Sequence, residues 1–288
     1  MTEKLEISPE LKERLKAEYD KEWRKELRKS IPIKERMKIP RQKMPEREPE
    51  VRNRDFGEVN QGLDEAASVR EASRCWDCAN PGFVSGCPVS IDIPSFIKLI
   101  EKRDLVGSIR KIKETNSLPA ICGRVCPQET QCEIVCNLKK ASGVPVAIGN
   151  LERFISDFER REGQVFLPEI PPATGRKAAV IGGGPAGLTV AGELAKKGHR
   201  VTIFEALHIA GGVLVYGIPE FRLPKAILKA EVAYLQKLGV ELRMSFVVGK
   251  TATIADLRKD GYDAFFIGTG AGLPNFMRIP GENLVGVY

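Results

Sequence analysis

The spacing of apolar residues changes near residue 170. Before it they recur every three or four positions, as in helices, and beyond it short apolar runs alternate with helical stretches. Ser8-Pro9-Glu10 is a helix start, with Ser as N-cap and Pro in the first turn. Leu11, Leu15, Tyr19, Trp23 and Leu27 then form one stripe, so a single helix to about Lys29 is expected. From Ser30 to Asn60 the chain carries Pro32, Pro40, Pro45 and Pro49 among many charges and should run extended over a surface. Asp64–Arg74 reads as a short helix. Ile91–Arg103 and Asp104–Glu114 read as an antiparallel helix pair with Asp104 as a cap. In Val146–Arg161, Ile148, Leu151, Ile155 and Phe158 share a face, predicting an amphipathic helix.

Glu162–Arg176, with Pro168, Pro171 and Pro172, reads as a linker. The expected division is an N-terminal helix and wrapping segment (1–60), a helical domain (61–170) and an α/β domain (171–288). In the last, Lys177–Ile181 is a short apolar strand, Pro185 to Lys197 a helix and His199–Phe204 a second strand. Ala210–Lys225 is a glycine-rich loop, and Ala226–Leu238 a helix ended by Gly239. Val240–Phe246 is a strand, Ile254–Asp260 a short helix and Tyr262–Ile267 a buried strand that runs into Gly268-Thr269-Gly270-Ala271.

Between the first strand and helix stand Gly182, Gly184 and Gly187, in the spacing G-x-G-x-x-G. The first glycine makes the tight turn, the second admits a pyrophosphate to the backbone, and the third lets helix and strand pack closely. The helix start at Pro185 and Ala186 offers unpaired N–H groups to phosphate, and Glu205, at the end of the second strand, can take ribose hydroxyls. With strand, helix, second strand and terminal acid all in order, this is a dinucleotide site.

A hydrophobic fraction of 42% and a charged fraction of 29% are those of an ordinary globular protein. No apolar run approaches the ~20 residues that cross a bilayer, and the first residues lack the apolar stretch of a signal peptide. A cytoplasmic, non-membrane protein is expected. The net charge of +7 comes largely from Lys/Arg-rich segments before residue 60. Without aromatic–basic interleaving it argues against nucleic acid and leaves docking to an acidic partner open. All seven cysteines lie between Cys75 and Cys136. An odd, clustered set in a reducing compartment points to metal rather than disulfides.

The cysteines form two groups, Cys75-x2-Cys78 with Cys87-Pro88, and Cys122-x3-Cys126-Pro127 with Cys132-x3-Cys136. Tetrahedral zinc also takes C-x2-C thiolates, and buried cysteines can simply pack. Iron–sulfur clusters account best for the set, because Cys-Pro at Cys87 and Cys126 resembles the bacterial ferredoxin run and a redox nucleotide site adjoins it.

Together RCWDCANPGFVSGCPVSIDIP, LPAICGRVCPQETQCEIVC, IGNLERF and VIGGGPAGL resemble the NADPH-dependent glutamate synthase small-subunit family. That family includes the large subunit of the NADH-dependent ferredoxin:NADP oxidoreductase and the N-terminal part of dihydropyrimidine dehydrogenase. The resemblance implies an α + α/β protein, with an all-helical, ferredoxin-like iron–sulfur domain followed by a partial Rossmann-like FAD-binding domain. It implies two [4Fe-4S] clusters. One would use Cys75, Cys78, position 83 and Cys136, the other Cys87, Cys126, Cys132 and Glu152, with Cys122 left over. Position 83 is Phe, which cannot ligate, so an altered or missing first cluster is expected.

The resemblance also makes the nucleotide FAD. It sets Gly211, Gly212, Leu214 and the Tyr216–Pro219 segment along the pyrophosphate and isoalloxazine, Arg222 as a cofactor contact, and Gly268, Thr269 and Gly270 where the backbone passes the flavin. NADP(H) would be the substrate of the full-length family. Hydride transfer to flavin needs no acid, base or nucleophile from the chain, so no catalytic side chain is expected. Relatives continue past the position of Tyr288 into an NADPH-binding domain and a return segment, so a fragment, truncated product or half of a split protein is expected. Three functions follow. The first is an electron-transfer subunit feeding a glutamate synthase large subunit. The others are the ferredoxin:NADP oxidoreductase large subunit, beside a smaller flavoprotein or ferredoxin, and a non-catalytic FAD and iron–sulfur relay. The first two imply a hetero-oligomer.

Overall fold

A computed structural model describes residues 7–163, 165–272 and 275–287. Up to residue 162 its regular elements are helices, and its four strands all lie beyond residue 176. Helices Ile93–Glu101 and Leu105–Lys113 form the expected hairpin, with Asp92 and Asp104 accepting from Ser95 N and Gly107 N. Ile97, Ile100, Ile109 and Ile112 of that pair bury against Leu151 and Ile155 of the helix Ile148–Glu162. Short helices Gly82–Ser85, Pro119–Val125 and Asn137–Ser142, which the apolar spacing does not announce, carry or flank the cysteines.

The expected single N-terminal helix is two, Pro9–Tyr19 and Glu22–Ser30. Asp20 caps the first, paired with Lys16 at 2.5 Å, and Lys21 turns extended before the second begins. The break rotates the stripe, so that Arg24 rather than Trp23 is the buried residue of the second helix. Residues 30–60 do wrap the surface, with only the short helices Ile33–Arg36 and Pro49–Arg52. Arg36 is buried on Glu101 at 2.8 Å, and Val59 N donates to Phe221 O at 3.0 Å in the α/β half.

The sheet is wholly parallel, in the order β3-β2-β1-β4, with β1 Lys177–Ile181, β2 Arg200–Phe204, β3 Glu241–Arg243 and β4 Ala264–Ile267. The two central strands are buried along nearly their whole length, as their continuous apolar runs require. Residues 262–267 do not form the fully buried strand expected: Tyr262 is buried, but Ile267 is 63% exposed because β4 is a sheet edge. Leu118, Ala120 and Ile121 from the helical half share one core with Leu188, Leu214 and Leu235, so the two halves are continuous.

Candidate functional site

The glycine loop follows β1. Gly182 has φ +106, and a Cβ there would stand 2.3 Å from Gly268 O, so the turn after β4 closes directly on it. At Gly187 a Cβ would fall 1.9 Å from Gly182 O, so helix Pro185–Lys196 lies against the loop as closely as backbone allows. Gly184 differs. It sits in an ordinary extended conformation, and its Cβ would meet nothing nearer than Gly212 Cα at 4.0 Å. The space in front of it, at the helix N-terminus, suits a phosphate.

Glu205 is buried at the end of β2. Its Oε2 accepts from Gly183 N at 2.6 Å and its Oε1 from Leu207 N at 2.9 Å. Each oxygen keeps a second lone pair, so the carboxylate can hold the loop and still take a hydroxyl. Gly211 N donates to Gly183 O at 2.7 Å, which brings the second glycine loop beside the first. Leu214 lies in the domain core, Arg222 and Gly270 are exposed, and Thr269 is exposed beside Gly182. Lys225 Nζ, unremarkable in sequence, donates to the carbonyls of Leu214, Leu223 and Ile218 and so pins the loop that carries Leu214 and Tyr216.

Two thiol groups form in the helical half, with membership that crosses the sequence groups. Burial pushes Cys87, Cys122, Cys126 and Cys132 up, and the nearby carboxyl of Glu152 pushes each of them further, so these four thiols share one acidic neighbour. Burial likewise pushes Cys75 up to about 12, with Cys78 adding to it, and Cys78 is raised by burial and by Cys136. Cys122 therefore sits with the second group and not the first. Buried thiols so raised ionise only when a metal compensates the charge.

Among the described residues no three His, Cys, Asp or Glu side chains are close enough to share one metal ion. Ligands of tetrahedral zinc converge on one point, whereas the thiolates of a cluster each bind a different iron. Donors already face the sulfurs. Asn137 Nδ2 lies 3.3 Å from Cys78 Sγ, and backbone N–H groups of Val89, Ser90 and Ile91 point at Cys87. Glu152 is fully enclosed, pushed by burial up to about 8, and Asn116 Nδ2 holds its Oε1 at 2.8 Å.

The second group, Cys87, Cys122, Cys126 and Cys132 with Glu152, holds at least the four donors that a cubane needs. The first group offers three thiols, Cys75, Cys78 and Cys136, and Phe83 is buried in the same apolar cluster. It does not fit a four-ligand cubane.

The helix Pro119–Val125 connects the two sites. Its neighbour across the helical core is so close that a Cβ on Gly123 would lie 2.5 Å from Arg153 N, the residue after Glu152. On its other side Ala120 N donates to Glu231 Oε1 at 3.1 Å, and Ser117 Oγ to Glu193 Oε1 at 3.1 Å, both in the α/β half. Asn116 and Glu231 carry no local signal of these roles. Their partners are 36 and 111 residues away.

Residues 52–164 match the family described as dihydropyrimidine dehydrogenase domain II, 4Fe-4S cluster, and residues 176–287 match pyridine nucleotide-disulphide oxidoreductase. The NADPH glutamate synthase small chain of Bacillus subtilis (strain 168) is 37% identical over 88% of this chain and 52% of its own length. That of Escherichia coli (strain K12) is 35% identical over 85% and 51%. The subunit PreT of the NAD-dependent dihydropyrimidine dehydrogenase of the same strain is 37% identical over 76% and 53%. The chain thus spans about half the length of these curated relatives. An iron–sulfur domain is thus joined to a pyridine nucleotide oxidoreductase domain through one shared core, in a chain similar over most of its own length to the NADPH glutamate synthase small chains and to PreT.

Proposed function

We propose that this chain is the electron-input unit of an NAD(P)H oxidoreductase of the glutamate synthase type. Residues 1–60 form a strap, 61–170 an α-helical ferredoxin-like domain, and 171–288 the first part of an FAD-binding domain. The observation that carries this reading is the helix Pro119–Val125, which buries Ala120 and Ile121 in the nucleotide domain's core and delivers Cys126 to the second thiol group. One rigid element thereby joins the two candidate cofactor sites.

Gly182, Gly184, Pro185, Ala186 and Gly187 would hold the pyrophosphate, with Glu205 on the ribose. Gly211, Gly212, Leu214, Arg222, Gly268, Thr269 and Gly270 would bound the rest of the FAD. Cys87, Cys126, Cys132 and Glu152 would hold one cluster, and Cys75, Cys78 and Cys136 another. When bound, the flavin accepts a hydride equivalent from a nicotinamide and the clusters carry its electrons singly. The residues themselves bind, orient and exclude water. His199, whose Nδ1 pairs with Thr174 Oγ1 at 2.7 Å, and exposed His208 have no part in it.

The partner would be a second redox subunit or a ferredoxin, in the cytoplasm; no helix among the described residues is long and apolar enough to cross a membrane. Anaerobic purification from a native host tests the reading through FAD, iron, NAD(P)H oxidation with an artificial acceptor, and the co-purifying subunit. Bound FAD and iron with an amidotransferase-sized partner support it. A smaller flavoprotein partner replaces it with the ferredoxin:NADP oxidoreductase reading, and a chain binding neither cofactor overturns both.

A further inference from the structure

The first thiol group is built for a cluster yet lacks a ligand. Cys75 and Cys136 are buried in the helical core, and Cys78, half-buried, lies near both. The indole Nε1 of Trp76, between two of them in sequence, is buried without an acceptor. Asn137 Nδ2 already faces Cys78 Sγ at 3.3 Å. An orphaned indole donor in the segment between Cys75 and Cys78 calls for an acceptor, and inorganic sulfide accepts such bonds.

No fourth ligand is at hand. Phe83 is 3% exposed and Val84 fully buried, so the loop that would reach a fourth iron presents hydrocarbon and excludes water. Cys122, the spare thiol, lies with Glu152, Cys126 and Cys87 in the other group. The nearest acid in sequence, Asp77, is committed: both its oxygens accept from Arg24 Nε at 2.9 Å, and Oδ2 also from Arg28 Nη1 at 2.6 Å. An iron at that corner would have only its three sulfides.

We propose that Cys75, Cys78 and Cys136 hold a cuboidal three-iron, four-sulfide cluster, with Phe83 packed where a fourth iron and its thiolate would otherwise stand. This rests on the iron–sulfur reading above and departs from it at this one site. The iron ladder decides it: about seven irons per chain are expected, against about eight for two cubanes and about four for a single one.

The test is iron analysis and electron paramagnetic resonance of the anaerobically purified, oxidised protein. An oxidised three-iron cluster is paramagnetic, whereas an oxidised [4Fe-4S] cluster is silent. We expect about seven irons and a three-iron signal stoichiometric with the chain. Cys78→Ala should abolish the signal, and Phe83→Cys should replace it with a silent oxidised state and bring iron to about eight. A silent wild-type protein overturns the proposal, whether it holds about eight irons or about four. So does a signal that survives Cys78→Ala and vanishes in Glu152→Ala, which would mark a damaged second cluster. Protein without iron overturns the iron–sulfur reading itself. If Phe83→Cys does not fold, the wild-type and Cys78→Ala spectra still decide.

Discussion

Asn116 donates from Nδ2 to Oε1 of Glu152 at 2.8 Å while its own Oδ1 accepts the Leu118 N–H at 2.9 Å. The amide is thus fixed at the start of the helix Pro119–Val125 and aims one hydrogen bond at the buried acid of the second thiol group. Asn116→Ala should leave that carboxylate unpaired, costing about 1–3 kcal/mol. Urea denaturation and iron content measure this. A variant with wild-type stability and iron would show that Glu152 needs no orienting partner.

The two glycines flanking the helix start should fail in different ways. Gly187→Ala drives a methyl into Gly182 O and should destabilise the fold by roughly 1–3 kcal/mol as well as lose FAD. Gly184→Ala meets no protein atom within contact, so thermal stability without FAD should stay within about 0.5 kcal/mol of wild type. Its methyl faces the phosphate space, and FAD affinity should still fall. Equal FAD affinity in wild type and Gly184→Ala would place the nucleotide elsewhere.

Arg24 and Asp77 are both buried, and Arg24 Nη1 also donates to Ser95 Oγ at 2.8 Å. Arg24→Ala strands most of the Asp77 charge between Cys75 and Cys78, and a loss of about 3–5 kcal/mol is expected. Arg24→Lys should recover only part, because an ammonium cannot replace the guanidinium fork. A urea midpoint for Arg24→Ala equal to that of wild type would refute the coupling between strap and cysteine loop.

Burial pushes the Glu231 carboxyl up to about 7, above its ordinary value near 4.3 in an unfolded chain. The folded protein therefore holds a proton that the unfolded chain has released. The associated stability is complete below about pH 4 and disappears as pH rises through about 7, by at most about 4 kcal/mol. Stability of the cofactor-free chain should fall between about pH 4 and 7, and Glu231→Gln, which can still accept from Ala120 N, should flatten that slope. Glu152, raised by burial to about 8, leaves a residual slope in both proteins. Identical slopes would mean that Glu231 is solvated.

By itself the sequence determined whatever depends on near neighbours. Asp64, Asp104 and Ser8 cap the helices they precede, β1 and β2 are apolar runs, and the glycine spacing requires a strand–turn–helix, because caps, periods and turns are set within a few residues. It also showed that position 83, where the resemblance expects a ligand, is Phe, which cannot ligate whatever its surroundings. Tertiary structure decided the rest. The N-terminal stripe broke at Asp20 because burying Arg24 on Asp77, 53 residues away, outweighs continuing a helix. β4 became an exposed edge because sheet order, not hydrophobicity, decides which strand has two neighbours. Only folding placed Cys122 with Glu152 and Asn116 over the same acid, because contacts between distant residues follow from how helices stack, and no local period records that.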